Sequence, residues 1–155
     1  MNSTITFAVG GDHAGFDYKA DLIEYLASKN IQSKDFGTYS ADSVDYPDFA
    51  HPVAESVEKG EFTFGLLLCG SANGVAITAN KHQGIRAGLA WNTEVAKLVR
   101  QHNDANVLGL GARMHPQPEA FAIVDTFLST PFSSDERHIR RIGKIAAYEE
   151  SGDIS

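Results

Sequence analysis

The chain has 155 residues, 43% of them hydrophobic and 21% charged, which is typical of one globular domain spanning residues 1–155. Its formal net charge of −7 argues against nucleic acid or an anionic membrane as a partner, because both bind basic surfaces. The single cysteine excludes an internal disulfide. We recognise neither a signal peptide nor an apolar run long enough to cross a membrane, so we expect a cytoplasmic protein.

The first strand is predicted at residues 5–11, an apolar run that ends in two glycines. An apolar stripe at helical spacing follows over residues 16–29, and Asn30 after it suits a left-handed C-cap. Asp12 and His13 lie between these elements, at the end of a strand and the start of a helix. Asp12 is equally explained as an N-cap, whereas His13 has no evident capping role.

A second, weakly patterned strand is predicted at residues 31–37, followed by a polar loop at residues 39–47. A helix is then predicted over residues 48–59. Pro52 falls in its first turn, where proline is tolerated, and Gly60 follows its end.

An unbroken apolar run at residues 64–68 predicts a central strand buried on both faces of a parallel sheet. The next helix is predicted from about Gly74 to Lys81, so Cys69 lies between a strand end and a helix start. Ligands of open α/β sheets bind at the carboxyl ends of strands, a helix N-terminus favours a thiolate, and glycines let backbone N–H groups approach a ligand. The alternative is a small buried hydrophobic cysteine beside an ordinary turn.

Further strands are predicted at residues 84–90 and 105–111, and further helices at residues 92–104, 119–128 and 134–149. This alternation predicts a three-layer α/β/α sandwich with a five-stranded parallel sheet, Rossmann-like, from whose core the C-terminal helix extends. Strands 1 and 3 are expected to be central neighbours. By the rule that ligands bind at strand ends, Asp12–His13, Cys69–Gly74 and Arg113 converge on one rim of the sheet.

Arg137 and Arg141 are four residues apart on the last helix, so they share one face and suit a phosphate clamp. A solvated basic face is the alternative. The histidines lack metal-ligand spacing, and the glycine-rich turns match neither an NTPase loop nor a dinucleotide fingerprint, so we expect no metal and no cofactor.

Seven motifs occur in order along the chain: GGDHAG (residues 10–15), DYPD (45–48), LLCGSANGVAITANK (67–81), GIRA (84–87), RQHNDANVL (100–108), GAR (111–113) and ERHIRRIGKI (136–145). Together they resemble the type B ribose-5-phosphate isomerase family, which also includes galactose-6-phosphate and allose-6-phosphate isomerases. The resemblance covers nearly the whole chain. It implies an aldose–ketose isomerisation of a phosphorylated sugar through an enediolate, without metal or cofactor.

The resemblance also implies catalytic roles. Cys69 would be the base that moves a proton between C2 and C1, since removing such a proton needs a base held close. Ser71 would relay protons between the sugar oxygens. His102, with Asp12 as its partner, would open the furanose ring so that the carbonyl exists.

Substrate-binding residues follow from the same resemblance. Asn103 would help to hold the enediolate, and backbone N–H groups of the loop after Cys69 would stabilise the charge on its oxygen. The other binding positions of that loop are Gly70, Ala72, Asn73 and Gly74. The implied phosphate ligands are His13, Arg113, Arg137 and Arg141.

Two positions separate this chain from other members of the family that it resembles. One branch uses a glutamate after the loop as base, and here that position is Val75, which places the chain in the cysteine-base branch. Ala72 stands where glycine is usual, and a positive φ there would strain the loop. Members of the family are homodimers or dimers of dimers with a shared active site, so His102 and Asn103 are expected to reach the partner's Cys69.

Three alternatives stay open. A hexose 6-phosphate, from allose or galactose, would keep the mechanism and change the sugar. A sugar-phosphate sensor would keep the pocket without the chemistry, which the presence of Cys69, Ser71 and His102 disfavours. A flavodoxin-like binding or signalling domain would predict flavin absorbance or a phosphorylation pocket of clustered aspartates, and the strand ends here offer only Asp12.

Overall fold

The computed structural model describes residues 4–154. Residues 1–3 and Ser155 lie outside the described range, so the first residues of the stretch in which a signal peptide was sought are not described. Its strands are β1 (Thr6–Gly11), β2 (Gln32–Asp35), β3 (Phe64–Cys69), β4 (Ala87–Leu89) and β5 (Val107–Gly111). They form one parallel sheet in the order β2-β1-β3-β5-β4. The predicted five-stranded parallel sheet, with strands 1 and 3 as neighbours, is confirmed.

The helices alternate with the strands, as the sequence pattern predicts. They are α1 (Phe16–Ser28), α2 (Pro47–Glu58), α3 (Asn73–Ala79), α4 (Thr93–Asn103), α5 (Gln117–Ser129) and α6 (Glu136–Ser151), and a 3-10 turn at His13–Gly15 precedes α1. Asn30 has a φ of 59°, which confirms the predicted left-handed residue after α1. Among the helices of residues 4–154, none has the length and apolar character required to cross a membrane.

The core forms on both faces of the sheet because successive side chains of a strand point to opposite faces. In β3, Leu66 and Leu68 pack with residues of α1, α4 and α5, whereas Leu67 and Cys69 pack with residues of α2 and α3. All four side chains are buried. The result is the predicted three-layer sandwich, with Cys69 on the α2–α3 face.

The two edge strands are shorter than predicted. The strand predicted at residues 84–90 is confined to Ala87–Leu89, because Gly84 has a φ of 75° and breaks the extended run. The strand predicted at residues 31–37 is confined to Gln32–Asp35. Each edge strand pairs with a single neighbour, so fewer residues are held in the ladder. The last helix begins at Glu136 rather than Ser134, since Ser134 is left-handed, with a φ of 59°.

The close approach of β1 and β3 brings the ends of these strands together. A Cβ added at Gly11 would lie 2.1 Å from the carbonyl oxygen of Leu68, and one added at Gly15 would lie 2.5 Å from Leu68 Cβ. The Asp12 N–H donates to the same Leu68 carbonyl at 3.0 Å. The absence of side chains at these two glycines therefore allows Asp12 to lie beside the residue that precedes Cys69.

We expect Gly11→Ala to lower the free energy of unfolding by about 2 kcal/mol, because its methyl group would collide with backbone rather than with a movable side chain. Gly143 in α6 offers a matched control, since a Cβ there meets nothing within 4 Å. Gly143→Ala is expected to leave stability unchanged or raise it by up to about 1 kcal/mol. Urea unfolding followed by circular dichroism compares the variants, and equal stability would contradict the proposed importance of the β1–β3 contact.

Candidate active site

The loop after β3 is attached to the end of β5 by backbone hydrogen bonds. The Ala112 N–H donates to the Cys69 carbonyl at 2.8 Å, and the Arg113 N–H donates to the Gly70 carbonyl at 3.1 Å. The Cys69 residue is 8% exposed and lies at the carboxyl edge of the sheet. Backbone contacts from two central strands therefore fix the position of the thiol.

Ala72 adopts a strained, left-handed backbone conformation. Its φ is 67°, in the left-handed region, where a residue with a Cβ costs about 1–2 kcal/mol. The sequence analysis expected strain in the loop if Ala72 had a positive φ, and the structure shows that it does. The side chain is fully buried, and Gly109 makes room for it: a Cβ added at Gly109 would lie 3.4 Å from Ala72 Cβ.

Ser71 presents its hydroxyl at the mouth of a small cavity. Its Oγ accepts hydrogen bonds from the backbone N–H of Asn73 at 3.4 Å and from Asn73 Nδ2 at 3.2 Å. The hydroxyl proton therefore remains available for a ligand. The cavity, about 230 Å³ in volume, is lined by Ser71, Asn73, Leu89, Ala90, Trp91, Gly111, Met114 and His115.

Asp12 and His13 are both oriented by backbone groups. Asp12 Oδ1 accepts the Ala14 N–H at 2.9 Å, so Asp12 caps the 3-10 turn at His13–Gly15. The sequence offered this capping role as one of two explanations for Asp12. His13 Nδ1 accepts the Val44 N–H at 3.3 Å. Because Nδ1 is an acceptor in this contact, the neutral ring carries its proton on Nε2 and can donate it to a ligand.

The Arg113 side chain lies over Gly70, near Ala14. A Cβ added at Gly70 would lie 3.5 Å from both Cδ and Nη1 of Arg113, and 3.9 Å from Ala14 Cβ. The structure therefore brings three strand ends together, as the rule for parallel sheets predicts. We call the residues gathered here the carboxyl-rim group: Asp12, His13, Cys69–Gly74 and Arg113.

The other four candidate residues lie at the opposite edge of the sheet. The α4 helix returns from the end of β4 to the start of β5, so His102 and Asn103 in its last turn lie at the amino edge. Arg86, just before β4, confirms this placement by donating from Nε to the Asn103 carbonyl at 2.8 Å. The full length of β3, about 17 Å, separates this edge from Cys69.

The α6 helix lies along the same edge. The Ser133 N–H before it donates to the Gln101 carbonyl at 3.0 Å, and near its end Glu149 Oε2 accepts the Gly84 N–H at 3.1 Å. We call the candidates found here the amino-rim group: His102, Asn103, Arg137 and Arg141. Within one chain, the structure does not bring the amino-rim group to Cys69.

Two side chains that sequence reasoning left without a role touch the candidate residues. Tyr46 packs over the start of α3, since a Cβ added at Gly74 would lie 2.5 Å from its Cζ. His138 stacks on His102 with ring centroids 4.4 Å apart. Both residues occur in the family-like motifs DYPD and ERHIRRIGKI, but a motif does not indicate which neighbours its members contact.

A second cavity, about 360 Å³ in volume, lies at the amino edge of the sheet. Its lining includes Arg86, Asn103, Ile145 and Glu149 but not Cys69. Arg86 and Glu149 are engaged with neighbouring groups of the chain. Within residues 4–154, no three His, Cys, Asp or Glu side chains are placed to hold a metal ion.

Comparison with known proteins identifies the family. The family model described as Ribose/Galactose Isomerase matches residues 7–145. The chain belongs to the ribose/galactose isomerase family. It is 44% identical over 144 residues to ribose-5-phosphate isomerase B of Mycolicibacterium paratuberculosis, covering 92% of this chain and 91% of that protein.

Two solved structures of proteins with the same description have closely similar folds. A ribose 5-phosphate isomerase from Thermotoga maritima is 48% identical, with a TM-score of 0.90, and the match covers 94% of this chain and 99% of that one. Ribose-5-phosphate isomerase B from Mycoplasma genitalium, solved with bound ribulose-5-phosphate, is 39% identical, with a TM-score of 0.92 and coverage of 97% and 99%.

Membership of the ribose/galactose isomerase family makes this chain an isomerase. The carboxyl-rim group is suited to such chemistry because it places a thiol, a hydroxyl, a carboxylate and an imidazole at one edge of the sheet. The position where one branch of the family has a glutamate base, by the resemblance described above, is Val75. Its side chain is fully buried in the α2–α3 core.

Substitution of Asp12 separates its capping role from a chemical role. Asn is as good an N-cap as Asp, so Asp12→Asn is expected to keep its stability within about 0.5 kcal/mol, whereas Asp12→Ala loses about 1 kcal/mol. Both variants are expected to lose turnover, because neither retains a carboxylate. Urea unfolding and sugar-phosphate turnover measure the two effects, and full turnover by Asp12→Asn would leave Asp12 with the capping role alone.

Proposed function

We propose that this isomerase interconverts D-ribose 5-phosphate and D-ribulose 5-phosphate, with Cys69 as the base, and that residues 1–155 act as a single isomerase domain. The main support is the position of Cys69: a buried thiol at the carboxyl end of a central strand, followed by a loop with a hydroxyl and helix-start N–H groups. The relatives described as ribose-5-phosphate isomerase B, and the one solved with ribulose-5-phosphate, support the choice of sugar.

The proposed reaction moves one proton between neighbouring carbons. The Cys69 thiolate takes the proton from C2 of the open-chain aldose, and the electron pair of that C–H bond forms the C1–C2 double bond of the enediolate. The same sulfur then returns the proton to C1, while Ser71 passes a proton between O1 and O2. Burial of the thiol favours this return, because few water molecules compete for the proton.

Negative charge on the enediolate oxygen needs donors that are already in place. Asn73 and Gly74 are the first two residues of α3, where backbone N–H groups have no partner four residues earlier in the helix. We assign Gly70, Ala72, Asn73 and Gly74 to this role through their backbone. The strained conformation of Ala72 immediately before α3 directs these groups toward the sugar.

The phosphate would be held by neutral and cationic donors together. His13 offers Nε2–H as a neutral donor, and Arg113 lies over Gly70, near Ala14, the residue that follows His13. Arg137 and Arg141 share one face of α6 and supply further positive charge. Asp12 and His102 would open the furanose ring, and Asn103 would bind the enediolate.

The separation of the two groups supports a homodimer, alone or within a dimer of dimers. Because the amino-rim group lies a strand length from Cys69, we propose that a second copy brings its amino-rim group to the carboxyl-rim group of the first. Exposed apolar side chains of α6 favour this assembly, since Ile139, Ile145 and Tyr148 are each more than half exposed in the single chain. A symmetric dimer would then have two identical sites.

Turnover of ribose 5-phosphate, allose 6-phosphate and galactose 6-phosphate tests the sugar and the base together. We expect the pentose phosphate to be preferred and Cys69→Ala to lower kcat by at least about 100-fold, because the base is removed. Cys69→Ser nearly keeps the size of the side chain and is expected to lower kcat by a similar factor. A hexose preference would change the proposed substrate, and undiminished turnover by Cys69→Ala would rule out the cysteine base.

Mixing two inactive variants tests the shared site. Cys69→Ala and His102→Ala homodimers are each expected to be inactive. A mixed dimer would contain one site with both residues intact, so random exchange of subunits should restore about a quarter of wild-type activity in a symmetric dimer. Failure to recover activity, with subunit exchange verified by mass spectrometry, would contradict the shared site.

A further inference from the structure

His138 is a buried polar residue that the proposed mechanism does not use. It is 4% exposed although it lies on α6, whose other residues are largely exposed. Its ring packs on the ring of His102 with centroids 4.4 Å apart and planes tilted by 33°. No side-chain hydrogen bond to the His102 ring occurs within residues 4–154, so the stack on His138 is the contact that orients it.

Ser133 fixes the other side of His138. Its Oγ lies 2.8 Å from His138 Nδ1 and accepts the Asp135 N–H at 3.1 Å. A hydroxyl has one proton and two acceptor lone pairs, so Ser133 can accept the Asp135 N–H and still bond to His138 Nδ1, which fixes that edge of the imidazole. The Ser133 N–H also donates to the carbonyl of Gln101, the neighbour of His102, at 3.0 Å. Ser133 thus connects the backbone beside His102 to the ring that stacks on His102.

The charges around His138 keep it neutral. Burial lowers the pKa of His138, and the neighbouring His102 and Arg137 lower it further. Asp135, whose Oδ2 lies 3.9 Å from Nδ1, opposes this effect, and Arg141 adds to it. At neutral pH the His138 ring of the stack is therefore uncharged.

We infer that His138 is a positioning residue for His102, holding the His102 ring in the plane in which it exchanges a proton with the sugar. This inference rests on the proposed function, in which His102 and Asp12 open the furanose. Ring opening breaks the C1–O4 bond, adds a proton to O4 and removes one from the O1 hydroxyl, so the carbonyl forms without loss or gain of atoms. Such a transfer depends steeply on the orientation of the imidazole, because an error of about 1 Å costs as much as 100-fold in rate.

Exchange between the α and β anomers of ribose 5-phosphate measures ring opening directly. Each exchange event passes through the open chain, and magnetisation transfer on substrate labelled with ¹³C at C1 gives its rate. All proteins for this experiment carry Cys69→Ala, so that isomerisation does not deplete the substrate. This single variant is expected to accelerate exchange over buffer, and adding His102→Gln is expected to abolish the acceleration.

Three further variants in the Cys69→Ala background test His138. We expect His138→Ala to lower the acceleration at least about tenfold, because the ring support is lost. His138→Phe keeps a flat ring against His102 and should retain more of the acceleration than alanine. Ser133→Ala leaves both rings and removes the bond that orients His138, so an intermediate loss is expected. These milder variants give the answer if His138→Ala does not fold.

A second measurement separates positioning from general damage to α6. Binding of ribose 5-phosphate to the same proteins should weaken less than about threefold, because Arg137 and Arg141 remain in place while the ring-opening step suffers. Full acceleration by His138→Ala would overturn the inference. If that variant does not fold, full acceleration by each of the single variants Ser133→Ala and His138→Phe would overturn it. An equal loss of binding and of exchange would do the same. No acceleration by Cys69→Ala alone, or undiminished acceleration with His102→Gln, would instead refute the proposed ring opening.

Discussion

All five strands of the sheet are parallel, and this constraint divides the candidate site in two. Each strand ends at the carboxyl edge, so each helix must return its chain to the amino edge before the next strand begins. Cys69 ends a strand and His102 lies in the last turn of a helix, so one chain holds them at opposite edges. If the proposed site uses both residues, it requires a second copy of the chain, and this separation is the topological reason for proposing a dimer.

Different contacts hold the candidate residues at the two edges of the sheet. At the carboxyl edge, Gly11 allows β1 and β3 to touch backbone to backbone, and β5 bonds the loop that contains Cys69. This support is sufficient to hold Ala72 in a left-handed conformation that a mobile loop would relax. At the amino edge, His102 is held by side-chain contacts with α6, so its orientation depends on how α4 and α6 pack.

The sequence was sufficient to predict features that depend on chain order. Apolar runs located β1, β3 and β5, and the parallel arrangement then required Asp12, Cys69 and Arg113 to share an edge. Features that depend on contacts between distant residues were not predictable. The late start of β4 depends on the conformation of Gly84, and the His13 tautomer depends on a backbone N–H contributed by Val44. The stack of His138 on His102 joins helices whose relative position no local pattern specifies.

The net charge of −7 opposes binding of a phosphorylated sugar, so positive charge must be concentrated where the phosphate lies. Arg137 and Arg141 are proposed to meet this need on α6, and His138, which lies between them in the chain, would add a further positive charge to the helix if it were protonated. Its burial resolves the conflict, because desolvation penalises the imidazolium while the guanidinium groups remain exposed and charged. Positive charge on α6 is thereby kept on its exposed basic side chains, including the two arginines proposed to bind the phosphate, while His138 remains the neutral ring that packs on His102.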